Sequence, residues 1–252
     1  MPILGGELGY QILRRLAPGG EASSSMDGSA YLNRSKVETL LGRPAIDAIR
    51  GKRVVDFGCG EGADAIELAR FGAARVVGVD IQPRFLAIAS AAAKAAGLEH
   101  VVSFAQEMTS KVDAVVSIDA FEHFDNPAEI LALVANMLEL DGRFYVSFGP
   151  TWYHPLGGHL FSVFPWAHLL FTESALLRWR ADFKDDGARR FSEVAGGLNQ
   201  MTIGRFEQLV ARSPLCFEHF ESVPIRRLAP IHGRWTREFT TAIVRATLRQ
   251  RD

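Results

Sequence analysis

Residues 54–62 read "VVDFGCGEG", an apolar run that ends in three glycines set two positions apart. The run has the character of a buried strand, and glycines placed after it let a backbone come close to a ligand. Downstream, "ADAIELARFG" reads as a helix closed by Gly72, and "ARVVGVD" as a second strand. "PRFLAIASAAAKAAG" is a helix with Pro83 in its first turn and Gly97 at its end. "VVSFA", "VDAVVSI" and "RFYVSFG" are further strands, and "PAEILALVANMLELDG" is a helix between the last two. Nearly continuous apolar strands alternating with helices predict an open, mostly parallel α/β sheet covered on both faces. Upstream, "SAYLNRSKVETLLG" has helical spacing at Leu32, Val37, Leu40 and Leu41, with Ser29 in an N-cap position. Residues 1–28 end in "APGGEASSSMDG", whose polar, small-residue composition predicts a flexible segment outside the core.

Composition narrows the function classes. The chain has 252 residues, 48% hydrophobic and 23% charged, as expected of a globular protein with a substantial core. Lysine plus arginine (28) nearly balances aspartate plus glutamate (29), so no global field attracts nucleic acid or an anionic surface. Two cysteines in unrelated contexts, Cys59 and Cys216, suggest neither a disulfide framework nor a zinc set. The first twenty residues carry glycines and arginines where a signal peptide needs a continuous apolar core, which leads to an expectation of a cytoplasmic protein.

The glycine loop lies at the carboxyl end of the first strand, where open α/β sheets bind ligands. A phosphate-cradling Walker loop needs Lys-Ser/Thr after its last glycine, and Ala63-Asp64 follows here. A dinucleotide fingerprint fits Gly58, Gly60 and Ala63, so spacing leaves that reading open. Asp56 tips the balance: a carboxylate at the loop repels a pyrophosphate and favours a ligand carrying an ammonium or a sulfonium. S-adenosylmethionine carries both.

With "VVDFGCGEG", "VVGVDIQP" and "VDAVVSIDAFEHFDNP" in this order, residues 50–150 resemble the class I S-adenosylmethionine-dependent methyltransferases. The resemblance implies a Rossmann-like, seven-stranded sheet whose last strand is antiparallel. It implies S-adenosylmethionine as cofactor and gives the residues roles. Gly58, Gly60 and Gly62 let the loop approach the cofactor, with Cys59 between them as a spectator thiol. Asp56 bonds the ammonium, directly or through water. Asp80 accepts from the ribose hydroxyls, although an Asp there also suits a helix cap. Ile81 packs on the adenine, Glu107 accepts from its amino group, and Met108 offers a backbone amide and a soft contact. A solvated loop carboxylate is an equally good account of Glu107. Asp119, Phe121 and His123 follow the fourth strand where the methyl group faces the acceptor. An N-terminal helix like that of some relatives would bring Tyr31 and Arg34 over the methionine carboxylate.

After the fifth strand about fifty residues pass before the pattern resumes at "TIGRFEQLVARSP", long for a βα connection. This predicts a lid inserted at about 150–200 in a domain spanning 29–252, rich in aromatic rings and containing His154, His159 and His168. Its apolar run is broken well short of a membrane span, which leaves only weak surface contact. "CFEHFESVPIRR" and "REFTTAIVRATLR" read as closing strands. The expected reaction is methyl transfer to a small molecule at oxygen, with nitrogen, carbon or a quinone-type lipid as alternatives. A non-catalytic binder and a dinucleotide-dependent oxidoreductase are the rivals from other classes. A hydroxyl acceptor calls for a base near neutral pKa, and His154 or His159 rank ahead of His168, whose setting suggests packing. The resemblance gives His123 a structural part or the same role. No metal-ligand spacing and no basic run is present, so neither a metal nor a nucleic acid is expected.

Overall fold

Alternate residues of a strand point to opposite faces, and the central strands of this chain are covered on both, so their sequences are nearly all apolar. The computed structural model describes residues 2–20, 34–194 and 197–251. The strands are β1 (Arg53–Phe57), β2 (Arg75–Val79), β3 (Val102–Ala105), β4 (Val112–Ile118), β5 (Leu138–Phe148), β6 (Leu215–Pro224) and β7 (Thr241–Gln250). They form one sheet in the order β3-β2-β1-β4-β5-β7-β6. Neighbours from β3 to β5 pair in parallel, and β7 runs antiparallel to both β5 and β6.

The principal helices are α1 (Gly6–Leu16), α2 (Lys36–Leu41), α3 (Arg43–Ala48), α4 (Ala63–Arg70), α5 (Pro83–Ala95), α6 (Pro127–Met137), α7 (Ala167–Leu170), α8 (Glu173–Ala181), α9 (Ile203–Ala211) and α10 (Arg237–Thr240). On one face Val55, Val115 and Val146 meet Leu131 and Val134 of α6 and Phe206 of α9. On the other, Val54, Val76 and Val116 meet Leu40 of α2, Ile46 of α3 and Leu68 of α4. Burial of this apolar area is the main stabilising contribution.

A third core lies off the sheet and corrects the N-terminal expectation. Residues 6–16 are a docked helix. Tyr10, Leu13 and Ala17 recur at helical spacing and bury against Phe171, Leu176 and Trp179. Trp179 Nε1 donates to the Ala17 carbonyl at 3.0 Å, and Thr172 N donates to Leu4 O at 2.8 Å. The composition of residues 17–28 hid an amphipathic helix that packs against residues some 160 positions away. Residues 21–28 lie outside the described residues.

Three boundaries also move. The helix expected from Ser29 begins at Lys36, where the Ser35 side chain accepts from Glu38 N at 2.8 Å; Ser29, Tyr31 and Leu32 lie outside the described residues. α6 ends at Met137 because Leu138 already pairs with Val112, which takes "LELDG" into β5. β6 ends at Pro224 and β7 starts at Thr241, so α10 replaces the first residues of the expected last strand.

Candidate functional site

The three loop glycines all have positive φ: +81° at Gly58, +49° at Gly60 and +81° at Gly62. Gly58 N and Cys59 N donate to Val79 O at 2.8 and 3.0 Å, pinning the loop to the end of β2. A Cβ on Gly58 would lie 2.8 Å from Ala120 Cβ, and one on Gly62 2.7 Å from the Phe104 ring. A Cβ on Gly60 would meet nothing within 4 Å. The outer glycines therefore permit packing, and the middle one borders open space. Cys59 is buried beneath the loop, and its thiol pKa is pushed well up by burial and by the nearby Asp56 and Asp80. That leaves it inert.

Asp80 combines both of its expected roles. Its Oδ1 accepts from Gln82 N at 2.9 Å at the start of α5, and its Oδ2 accepts from Gly60 N at 3.0 Å. Ile81 stands beside it 82% exposed, a free apolar face. Glu107 is exposed, whereas Met108 is half-buried against the sheet core.

Asp56 lies under the loop rather than on it. It is buried, its Oδ2 has no hydrogen-bond partner, and the Ala65 backbone N–H at the start of α4 donates to its carboxylate. Burial and the neighbouring Asp64 push its pKa well above the usual carboxylate value, against the pull of Lys36. Asp64 and Asp119, in contrast, reach solvent. Lys36 bridges them, with Nζ 3.0 Å from Asp64 Oδ2 and 3.4 Å from Asp119 Oδ2. Burial works against the charge of Lys36, yet the two carboxylates together hold its pKa above the usual lysine value. Asp119 occupies the left-handed region at φ +48°, a conformation that non-glycine residues adopt rarely and often at functional sites.

Comparison with known proteins agrees with this geometry. The sequence profile of the methyltransferase domain family matches residues 55–146. A ubiquinone biosynthesis O-methyltransferase of Neisseria meningitidis serogroup C is 36% identical over 106 residues, 39% of this chain and 44% of that protein. Among solved structures, an S-adenosylmethionine-dependent methyltransferase from Mesorhizobium loti superposes with a TM-score of 0.52 at 19% identity, covering 82% of this chain and 96% of that one. The [4+2]-cyclase SpnF does so with a TM-score of 0.57 at 17% identity, covering 95% and 91%. Residues 55–146 thus match a methyltransferase domain, and the chain shares the fold of S-adenosylmethionine-dependent methyltransferases. It spans less than half the length of the curated relatives it matches.

Beyond β4, the methyltransferase fold leads into a short turn, Phe121–His123. Phe121 packs edge-on against Phe206 and tilted against Phe148, with centroids 5.2 and 5.8 Å away. Asn199, returning from the post-β5 segment, clamps this turn: its Nδ2 donates to Phe121 O and Phe124 O, both at 2.9 Å. His123 Nδ1 lies 2.8 Å from Gly197 O. A carbonyl only accepts, so Nδ1 carries the hydrogen and Nε2 keeps its lone pair in the neutral ring.

Of the three histidines expected in the insertion, one reaches this turn. The His159 ring is edge-on to His123 with centroids 5.3 Å apart, and its buried Nε2 has no hydrogen-bond partner. Burial, then the nearby His123 and His168, lower its pKa to about 3, against a pull from the Pro150 carbonyl. His154 instead accepts from Leu156 N at its own Nδ1, at 2.9 Å, which makes it a turn cap. His168 is buried with Nε2 2.6 Å from Trp152 O and Nδ1 3.4 Å from Ser162 Oγ, a packing role as its setting suggested. Arg34 is exposed, and Tyr31 is outside the described residues.

Sequence reading missed Lys36, Asp64 and Glu122. Glu122 Oε1 accepts from Gly149 N at 3.2 Å, linking the ends of β4 and β5, and Oε2 is buried without a partner. Burial, then Asp119, raises its pKa to about 8. A glutamate wedged between Phe121 and His123 in "AFEHF" was the available signal. Among the described residues no helix is long and apolar enough to cross a membrane, and no three His, Cys, Asp or Glu side chains converge as a metal site. Two cavities, of ≈ 340 and ≈ 430 Å³, lie away from the glycine loop, one between α3 and the β6-β7 pair and one beside Tyr153 and Phe239.

Proposed function

We propose that this chain is a cytoplasmic enzyme that transfers a methyl group from S-adenosylmethionine to a small-molecule acceptor, at a hydroxyl oxygen. The observation that carries the reading is electrostatic. Asp56, Asp64, Asp80 and Asp119 gather at the glycine loop, where Asp80 accepts from Gly60 N and Lys36 pairs with Asp64 and Asp119. Such a site disfavours a pyrophosphate and suits a ligand bearing an ammonium and a sulfonium. The open space over Gly60 and the orphaned Asp56 Oδ2 fit that ligand.

In this reading the loop backbone at Gly60 and the Asp80 carboxylate hold the ribose end, exchanging the Gly60 N–H bond of Asp80 for ribose hydroxyls. Ile81 covers the adenine, with Glu107 and Met108 at its edge. Bound there, the cofactor supplies an electrophilic methyl group whose positive charge disappears on transfer. The chain contributes alignment, a dry aromatic surround and a proton acceptor. In this reading His123 takes the last task, and its Nδ1 contact with Gly197 O supports this by leaving Nε2 free to accept the acceptor's proton. The adjacent His159, with its lowered pKa, stays neutral and leaves room for that charge. The catalytic unit spans residues 29–252, with α1 and the segment at about 150–200 forming one lid.

The likeness to the Neisseria ubiquinone biosynthesis O-methyltransferase adds a second reading, a quinone-precursor acceptor. The aromatic post-β5 segment favours it, although the matched region stops before that segment. SpnF, a [4+2]-cyclase, shares the fold, so binding and transfer need separate readouts. Calorimetric titration with adenosylmethionine, adenosylhomocysteine and NAD tests the first step. Binding of NAD without adenosylmethionine overturns the proposal. A screen of hydroxylated acceptors, read as release of adenosylhomocysteine, tests the second.

A further inference from the structure

The connection from β6 to β7 is built as a rigid knuckle that turns its apolar residues outward. Its ends are tied by Ile225 N donating to Thr240 O at 2.8 Å. His232 pins it from within, with Nε2 3.0 Å from Ser222 Oγ and Nδ1 2.7 Å from Thr240 Oγ1. Thr236 Oγ1 donates to Ile231 O and accepts from Gly233 N. None of the residues of its 3-10 turn, Arg226–Ile231, is buried. At its tip Trp235 is 89% exposed and Ile231 60% exposed. A loop ordered by its own polar bonds, with its largest apolar side chains in water, presents those side chains for contact.

Charge around the tip has one sign. Arg226, Arg227, Arg234 and Arg237 lie between Ile225 and Glu238 with no carboxylate among them. Arg226, Arg227 and Arg234 are exposed and form no ion pair with any described residue; Arg234 stacks over the Trp235 ring at 5.6 Å. Arg237 is neutralised by Glu207 at 2.6 Å, and Glu238 turns inward to accept from Ile203 N and Gly204 N. The near-neutral whole chain conceals this patch.

The knuckle stands on the functional edge of the sheet. β6 runs parallel to β5, because each is antiparallel to β7, so its end at Pro224 shares the edge with the glycine loop. The Phe239 ring meets Tyr153 of the post-β5 segment at 5.3 Å, and both line the ≈ 430 Å³ cavity with Trp152, His168 and Phe191.

We infer that the knuckle Ile225–Thr240 docks this protein on an anionic phospholipid surface, with Trp235 and Ile231 entering the headgroup layer and Arg226, Arg227 and Arg234 on the lipid phosphates. Tryptophan favours the interfacial layer, and arginines near an anionic bilayer add attraction that falls with salt. A protein partner would require a far larger apolar contact than one indole and one isoleucine. The docked edge brings a lipid-resident acceptor to the post-β5 segment, which deepens the proposed transfer reaction but does not depend on it.

The test is flotation of the full chain with vesicles of phosphatidylcholine alone, and with about equal parts of phosphatidylglycerol, at low and high salt. Association with the anionic vesicles is expected, weakened by salt and weak on the neutral ones. Replacing Arg226, Arg227 and Arg234 by Gln should lower the partition coefficient about fivefold per residue, about 100-fold together. Trp235→Ala should lower it about tenfold. Each altered side chain is exposed, so circular dichroism and adenosylmethionine affinity should be unchanged. Equal binding to neutral vesicles, binding indifferent to these substitutions, or no binding overturns the inference. A mass by light scattering that falls on Trp235→Ala, showing a second copy on the patch, does so too. None of these readouts uses methyl transfer, so failure of the proposed activity would be seen separately.

Discussion

Between β1 and β4 the site is built from carboxylates, and beyond β5 from histidines and aromatic rings. In the first region charges face one another: Asp64 and Asp119 share Lys36 at 3.0 and 3.4 Å, and Asp56 lies buried below them. In the second region burial keeps His154, His159 and His168 neutral, with pKa values of about 4, 3 and 4. The first arrangement suits a cation that arrives from solution. The second suits a proton acceptor in a dry pocket, where a charged imidazole is costly until it is needed. Phe121–His123, which carries Glu122, is the seam between them, with Asp119 on one side and His159 on the other.

The largest effect expected comes from the open side of the loop. Gly60→Val should abolish adenosylmethionine binding in a calorimetric titration while circular dichroism stays native. The side chain enters the empty space and is strained at positive φ. Gly60→Ala, with one methyl group, should weaken binding on the order of tenfold. Binding retained by both would remove the carboxylate region from the cofactor site.

Next comes the seam. His123→Ala should lower kcat by roughly 10²–10⁴-fold with cofactor affinity nearly unchanged, the range for a lost general base. His154→Ala should keep near-normal kcat, since that ring caps a turn. Normal turnover in His123→Ala and His159→Ala alike would mean that the acceptor needs no base. Asp80→Ala is expected to weaken adenosylmethionine binding by roughly 1.5–3 kcal/mol, the cost of charge-assisted hydrogen bonds. A Kd within twofold of the parent would leave Asp80 only its tie to Gly60 and Gln82.

The smallest effect separates the two regions by the sign of their pH dependence. A buried histidine with a lowered folded pKa binds no proton where the unfolded chain does. The stability it contributes is present above about pH 6.5 and is lost as pH falls toward 4. The slope is about 1.4 kcal/mol per pH unit for each such histidine. Glu122, raised to about 8, works the other way: its contribution is present below the ordinary glutamate value and is lost as pH rises through 8. Urea unfolding from about pH 5 to about pH 9 should show both limbs, and Glu122→Gln should flatten the alkaline one only. A Glu122→Gln profile that keeps its alkaline limb would assign that limb to other groups.

The carboxylate region was the more legible of the two in the sequence. Gly58, Gly60, Gly62, Asp56 and Asp80 fall within 25 residues, and the local geometry of strand, turn and helix brings them together. Even there, which glycine borders open space was not readable, since Phe104 and Ala120, which close off the other two, come from β3 and from the turn after β4. Lys36 was missed because its two partners lie 28 and 83 positions away.

Periodicity, turn residues and capping patterns act over a few positions, and by themselves they determined the parallel sheet, its flanking helices and the loop that ends β1. Tertiary structure alone decided that α1 packs under Trp179, that Lys36 bridges Asp64 and Asp119, and that His159 rather than His154 reaches His123. Each of these depends on contacts between segments far apart in the chain, whose loop-closure cost is met only once the sheet has formed.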